Sequence, residues 1–274
     1  SGVILYDETI WQNARDGVPL VKLIEEANAI PGIKVDEGAR DLHGGKPGEK
    51  VTRGLDKLHE RLPKYYEQGA RFAKWRAIID PTNLSYAGLL ANTHALARYA
   101  NLCQEFDIVP IVEPEVLMDG DNDIEATYAV TEWVLKETFQ QLYYLNVALE
   151  GIVLKPNMIV PGKKAAKQAS VDEVAEKTIK CLKACVPSAV PGIAYLSGGQ
   201  SDVDATAHLN RMNQIGGFPW KMTFSYGRAL QAAPQKAWSG KADNVGAAQA
   251  AFQHRARMNG LATKGQWKPE LEKA

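Results

Sequence analysis

A (β/α)8 TIM barrel of the α/β class, with its first strand expected to lie before Ser1 and so missing here, is the fold that the sequence predicts. Three observations lead there. Short apolar, β-rich runs alternate with long helical patterns at intervals of roughly 30–40 residues, the sequence form of repeated βα units on a parallel sheet. Four of the apolar runs carry charged residues toward their C-terminal ends, where a barrel builds its active site. No glycine-rich phosphate loop follows the first run, Val3-Ile-Leu-Tyr6, as a doubly wound dinucleotide-binding sheet would require.

Taken in order, strand candidates start near Val3, Gly32, Phe72, Ile108, Gly151, Gly192 and Met222. Helical patterns cover residues 85–105, 124–146, 171–184 and 202–212, and a last one, 244–260, follows the final strand. Ser201 precedes Asp202 and Asp204, which reads as an N-cap with favourable first-turn carboxylates. Residues 162–168 read as a basic surface loop. A barrel needs eight strands and seven are counted; Ser1-Gly2 runs straight into a strand, so the eighth is expected before Ser1. No low-complexity segment or linker divides the chain, which predicts a single domain over residues 1–274.

Composition bounds the function. With 32 basic and 32 acidic side chains the net charge is zero, which argues against a nucleic-acid coat or an acidic-membrane binder; affinity for phosphate has to come from a local pocket. No apolar stretch approaches the ~18 residues of a membrane span, and no secretory signature opens the chain. Cys103, Cys181 and Cys185 are too few for a disulfide framework and point to a reducing compartment. Cys181 and Cys185 share a helix face, but no His or second Cys pair completes a metal set, so they read as small buried hydrophobes.

The charged intrusions carry the chemistry. Side chains alternate across a strand with period two. Lys34 and Asp36 therefore share a face opposite Ile33 and Val35, and Lys74 and Arg76 share one opposite Ala73 and Trp75. Glu113 and Glu115 face away from Val112, and Lys155 faces away from Ile152 and Leu154. Charged residues are almost never buried unless paired, so strands that all end this way predict one polar cavity. A lysine there is a salt-bridge partner or a nucleophile. Lys155 stands out because its strand carries no acid of its own. To attack a carbonyl its amine must be neutral near pH 7, and lowering its pKa from about 10.4 to about 7 requires roughly 4–5 kcal/mol of destabilisation of the ammonium. Burial beside Lys74 and Arg76 is a means to that end, with Glu113 and Glu115 pairing the spare cations and relaying a proton.

Two glycine-containing turns follow the last two strands, Leu196-Ser-Gly-Gly-Gln-Ser201 and Phe224-Ser-Tyr-Gly-Arg-Ala229. Barrels often bind phosphate with the loops after strands seven and eight. Gly198, Gly199 and Gly227 allow close backbone approach, Ser197 adds a hydroxyl and Arg228 a cation. His43, His59, His94, His208 and His254 lie in expected loops and helices and are assigned no catalytic role; no His or carboxylate trio has metal-ligand spacing, so neither metal nor cofactor is expected. The six Trp residues read as packing.

Together these segments resemble class I fructose-1,6-bisphosphate aldolase. Gly-Ile-Lys34-Val-Asp, Phe-Ala-Lys74-Trp-Arg76, Val-Glu113-Pro-Glu115, Leu-Lys155-Pro-Asn, Leu-Ser197-Gly-Gly-Gln-Ser and Ser-Tyr-Gly227-Arg228-Ala are similar to that family's motifs in that family's order, through nearly the whole chain. The resemblance implies that Lys155 forms the Schiff base, Glu113 is the main acid–base group, Lys74 supports proton transfer and binds substrate, and Glu115 orients the cations. It also implies that Ser197, Gly198, Gly227 and Arg228 hold one phosphate, with Gly199 in the same turn. Lys34 and Arg76 would be cationic neighbours of the cavity, Arg76 toward the other phosphate. A cytoplasmic homotetramer acting on a sugar bisphosphate is expected, with the plastid left open and no nucleic acid or membrane as partner. The family's first-strand aspartate is not supplied by any segment here, and the chain ends at Glu270-Leu-Glu-Lys-Ala274 without the long tail and terminal tyrosine of animal enzymes, an ending more like bacterial members.

Two other readings stay open on the residues alone. One is another Schiff-base barrel lyase acting on a keto acid or sugar monophosphate; two separate cationic regions and the phosphate turns favour a bisphosphate. The other is a non-catalytic sugar-phosphate-binding scaffold on the same fold, which would not need a desolvated lysine beside a carboxylate.

Overall fold

Each of the seven apolar runs forms a strand, and the elements follow one another as βα units with few additions. The structure, a computed structural model, describes residues 1–273; Ala274 lies outside them. The chain opens with β1 (Gly2–Leu5), α1 (Asp7–Ile10), α2 (Leu20–Glu26) and β2 (Ile30–Lys34). A short hairpin, β3 (Ala39–Asp41) and β4 (Lys50–Thr52), precedes α3 (Leu58–Glu67), β5 (Phe72–Ile79), α4 (Tyr86–Glu105) and β6 (Val109–Val116). Then come α5 (Ile124–Tyr144), β7 (Val153–Leu154), α6 (Val171–Cys185), β8 (Gly192–Tyr195) and α7 (Asp202–Ile215). The last elements are β9 (Lys221–Phe224), α8 (Arg228–Trp238) and α9 (Val245–Ala262). No helix among the described residues is long and apolar enough to cross a membrane.

The sequence reading did not name the short α1 and α2, nor α3 and α8, the last two of which carry Pro63 and Pro234 inside them, residues that read as helix breakers. It also missed the β3–β4 hairpin, whose two three-residue strands are too short to show a period.

Contacts divide the described chain into two compact units, each made of several chain segments. The first holds Ser1–Glu115, Trp133–Leu154 and Ala189–Pro191. Its strands run β1-β2-β5-β6-β7, with β1 on β2, β2 on β5 and β6 on β7 all parallel. The β2–β5 register sets Lys34 opposite Lys74. Opposite parity buries Ile33, Ala73, Trp75 and Val112 completely. Trp75 stacks on Tyr99 of α4 with ring centroids 5.6 Å apart, and Tyr99 donates to the Ile111 carbonyl at 3.2 Å, so one helix covers two strands. Gly32 has to be glycine, since a Cβ there would run into the Phe72 ring.

The hairpin is tied to α4 by Glu49, which is buried. Its carboxylate accepts from the Lys46 N–H (2.9 Å), the Ser85 N–H (2.7 Å) and the Ser85 hydroxyl (2.8 Å). Asn92, in α4, accepts from the Thr52 N–H at 3.2 Å and donates to the Lys50 carbonyl at 2.9 Å.

The second unit holds Val116–Glu132, Lys155–Ser188 and the described residues from Gly192 onward. β8 and β9 pair in parallel, Ile193 opposite Met222. Ser170 caps α6 by accepting from the Glu173 N–H at 3.2 Å, and Ser201 caps α7 by accepting from the Asp204 N–H at 3.0 Å, as expected for Ser201. Buried Arg255 of α9 donates to Thr206 of α7 at 2.9 Å and pairs with Glu272, which also accepts from the Trp267 indole at 2.8 Å.

Two packing expectations need correction. Trp75, Trp220 and Trp267 are buried, but Trp11, Trp133 and Trp238 are 48%, 42% and 47% exposed, since they sit at helix ends or on outward faces. Cys103 and Cys181 are buried, whereas Cys185, in the last turn of α6, is only half-buried.

Replacing Glu49 with alanine would leave two backbone donors and a hydroxyl without their charged acceptor. Glu49→Ala should cost about 2–4 kcal/mol of stability, read as a lower urea midpoint. An unchanged midpoint would show that the hairpin is held by other means.

Candidate active site

In the first unit the expected charges form one connected network. Asp36, two residues past Lys34 and on the same face, is its centre. Its Oδ1 lies 2.8 Å from Lys34 Nζ and its Oδ2 lies 3.4 Å from Lys74 Nζ. It accepts in addition from the Arg76 N–H at 3.3 Å and the Gly38 N–H at 3.2 Å. Lys34 Nζ also donates to the Asp36 carbonyl at 2.6 Å. Lys74 Nζ reaches on to Glu113 Oε2 at 3.3 Å, and Arg76 pairs through Nε with Glu115. Asp36, Lys74, Glu113 and Glu115 are buried, while Lys34 and Arg76 are partly exposed. In β5 the charged pair sits mid-strand rather than at its end, because the strand continues to Ile79.

Burial by itself would raise the Asp36 carboxyl, but Lys74, the Lys34 hydrogen bond and charge, and the Arg76 N–H outweigh it and hold the group below its ordinary value of 3.8. Burial would likewise weaken the Arg76 cation, yet Glu115, with Glu113 and Asp36, secures it.

In the second unit Lys155 follows directly on β7 and is 8% exposed. The segment after it is fixed on both sides. Pro156 accepts at its carbonyl from the Leu196 N–H at 3.2 Å. Asn157 accepts from the Val116 N–H at 3.1 Å and donates to Thr131 Oγ1 and to the Met158 carbonyl, each at 3.1 Å. The Ile159 N–H donates to Thr178 at 2.9 Å. Hydrogen bonds thus hold the segment that follows Lys155.

The two glycine turns lie in the same unit. Ser197 is buried, and Gly198 (φ +60°) and Gly199 (φ +92°) take left-handed backbone before Gln200, whose N–H returns to the Ser197 carbonyl at 3.0 Å. Gly227 caps α8, whose first residue is Arg228. A Cβ on Gly199 would lie 3.4 Å from Arg228 Nη2, which brings the second turn's cation to the first turn's glycine.

Three participants were given no site role in the sequence reading. Asp36 was legible, since its parity matches Lys34. Lys163 was read only as part of a basic loop, but its Nζ is 2.5 Å from where a Gly199 Cβ would stand. His208 of α7 is buried, meets Gln200 Oε1 at 2.6 Å through Nδ1, and is pushed down to about 4 by burial, so it is neutral at pH 7. No strand parity marks either of the last two.

The family model for fructose-bisphosphate aldolase class-I matches residues 1–274. A probable fructose-bisphosphate aldolase class 1 of Xanthomonas campestris pv. campestris is 55% identical over 271 residues, covering 98% of this chain and 81% of the relative. The cytosolic fructose-bisphosphate aldolase 6 of Arabidopsis thaliana is 49% identical over 278 residues, covering 99% and 76%. Among solved structures, the fructose-bisphosphate aldolase of Plasmodium falciparum in complex with TRAP and a small-molecule inhibitor superposes with a TM-score of 0.95 at 45% identity, over 98% of this chain and 78% of that one. That likeness establishes the α/β TIM-barrel fold expected from the alternation of elements.

The Asp36 network generates a pH prediction. Its carboxyl is depressed in the folded state, so its contribution is fully present above the unfolded value of 3.8 and is lost as the pH falls through the lower folded value. Asp36→Asn should remove that part of the acid limb and, by taking away one of the two buried carboxylates that pair with Lys74, cost about 3 kcal/mol at pH 7. Denaturant midpoints from pH 3 to pH 7 check it; an unaltered acid limb would show that Asp36 does not carry this linkage.

Proposed function

The chain belongs to the class I fructose-bisphosphate aldolases, glycolytic and gluconeogenic lyases, and from that premise we propose how its own residues divide the reversible cleavage of fructose 1,6-bisphosphate into dihydroxyacetone phosphate and glyceraldehyde 3-phosphate. Lys155 is the nucleophile. Its neutral amine adds to the C2 carbonyl, and Glu113 donates a proton to the carbinolamine hydroxyl, which leaves as water and gives an iminium. The C3–C4 bond then breaks, its electron pair passing into the iminium to form an enamine while a base takes the C4 hydroxyl proton. Glyceraldehyde 3-phosphate departs. Protonation of the enamine at C3 and hydrolysis of the iminium release dihydroxyacetone phosphate and restore Lys155. The iminium is itself the electron sink, so the scheme uses neither metal nor cofactor.

The observation that carries this assignment is Lys155 itself, buried and following a strand whose onward segment is locked by Asn157 and Pro156. Lys74, 3.3 Å from Glu113, is suited to return a proton to that carboxylate, and Glu115 orients Arg76. Ser197, Gly198, Gly199, Gly227 and Arg228 are read as the cradle of one phosphate, on the support of the positive-φ turn and the start of α8. Lys34 and Arg76 are read as the cations for the other, each already paired with a carboxylate. On family grounds we place the enzyme in the cytoplasm, with the plastid left open, as a homotetramer with no nucleic-acid or membrane partner.

Lys155→Met keeps the volume and removes the amine. It should eliminate nearly all of an enhancement of ~10⁶-fold or more and abolish borohydride-trapped adduct with dihydroxyacetone phosphate, while leaving the circular dichroism spectrum intact. Near-normal turnover would sink the Schiff-base assignment. Arg228→Ala removes one charge-assisted contact of about 1.5–3 kcal/mol and should raise KM roughly 10–100-fold. The loss should be far smaller for a substrate lacking phosphate at that end; an equal penalty for both would make Arg228 structural.

A further inference from the structure

Lys163 stands on a ledge built for it. Three successive N–H groups, those of Gly162, Lys163 and Lys164, donate to the carbonyls of Asn122, Met118 and Gly120 at 2.8, 2.8 and 2.9 Å. The approach is so close that a Cβ on Gly162 would collide with the Gly120 carbonyl oxygen. From this ledge the Lys163 side chain crosses to the Gly198–Gly199 turn. The space beside Gly199 that a Cβ would fill is 2.5 Å from Lys163 Nζ and 3.4 Å from Arg228 Nη2. Two cations from different loops thus converge on one glycine whose backbone is already left-handed.

Lys163 is held there by Asp119, whose Oδ1 lies 2.8 Å from Nζ. Both side chains are open to solvent, 39% and 67% exposed. The Lys163 hydrogen bond, with further help from Arg228 and Lys164, holds Asp119 below the ordinary carboxylate value. Three cations, Lys163, Arg228 and Lys164, therefore act on the Asp119 carboxylate. Asp204 lines the same cavity of about 430 Å³ as Lys163 and Gly199, but it is engaged by the Ser201 hydroxyl at 2.6 Å, and His208 in the lining is neutral.

We propose that Lys163 is a further ligand of the substrate phosphate at the Gly198–Gly199 turn, sharing it with Arg228, and that Asp119 competes with the phosphate for Lys163. The proposal rests on the reading that one substrate phosphate binds at these turns. An exposed ion pair is weak, whereas a phosphate dianion offers three acceptor oxygens to the same ammonium. Exchange of partner is therefore downhill, and Asp119 sets how far. The site favours a dianion over a carboxylate or hydroxyl, because two cations await one group.

The test pairs Lys163→Met with Asp119→Asn in the full chain. Inorganic phosphate affinity is measured by calorimetry, which needs no turnover, and KM by cleavage of fructose 1,6-bisphosphate. Lys163→Met should weaken both roughly 3–10-fold, and Asp119→Asn should tighten both about 2–5-fold. That tightening should largely vanish in a Lys163→Met background. A merely structural pair would move both variants in the same direction or not at all. Any pattern other than opposite signs, or a full Asp119→Asn gain without the Lys163 ammonium, overturns the proposal. Failure of the unaltered enzyme to cleave the bisphosphate would instead overturn the aldolase reading, leaving the calorimetric comparison to judge Lys163 by itself.

Discussion

The parallel register of β2 and β5 sets two lysines side by side, Lys34 opposite Lys74, and the first unit's charged face depends on how that is made tolerable. Two ammonium groups on one partly buried face repel, and each loses hydration. Asp36 resolves both problems, one carboxylate oxygen for each lysine, with backbone N–H groups of Gly38 and Arg76 filling its remaining acceptor positions. A buried carboxylate so fully bonded stays ionised, and it holds Lys74 where its ammonium also meets Glu113. The hairpin reinforces this, since Thr52 donates to the Arg76 carbonyl at 2.8 Å and the Arg53 N–H returns to Gly38 at 3.1 Å. Glu49 and Asn92, far from any chemistry, thereby help fix where Arg76 begins.

Lys155 is held by a different device. Its strand is only two residues long, too short for ladder hydrogen bonds to fix the backbone beyond it. The fixing is done by Asn157, which spends both ends of its amide on Val116, Thr131 and Met158. An amide suits this place better than a carboxylate would, because it can accept from a backbone N–H and donate to a hydroxyl without burying a charge.

What could be read from the sequence was whatever obeys a period. Strand alternation predicted the seven strands, the buried faces of β2, β5 and β6, and the charges Lys34, Lys74, Arg76, Glu113, Glu115 and Lys155. Asp36 obeyed the same rule and was read on the Lys34 face, but parity alone gave no sign that it would bind both lysines. Elements that break local rules were invisible: α3 and α8 run through prolines, and β3 and β4 are too short for any period. Lys163 lay outside any rule of spacing. Its place comes from backbone hydrogen bonds between residues 118–122 and 162–164, a pairing that neither segment's composition announces.

The two sets of cations differ in a way that bears on how such an enzyme can vary. Lys74 is paired in a buried network, where removing any one partner strands another, so these positions tolerate little change. Lys163 and Asp119 are paired in solvent, where a substitution shifts affinity without unfolding anything. Charges that move protons have to be placed to within a hydrogen bond and are therefore built on strands. A charge that only adds to phosphate affinity can ride on a loop, provided that the loop's backbone is anchored, as the 162–164 ledge is. On this argument, phosphate affinity can be retuned at the loop while the acid–base groups on the strands stay as they are.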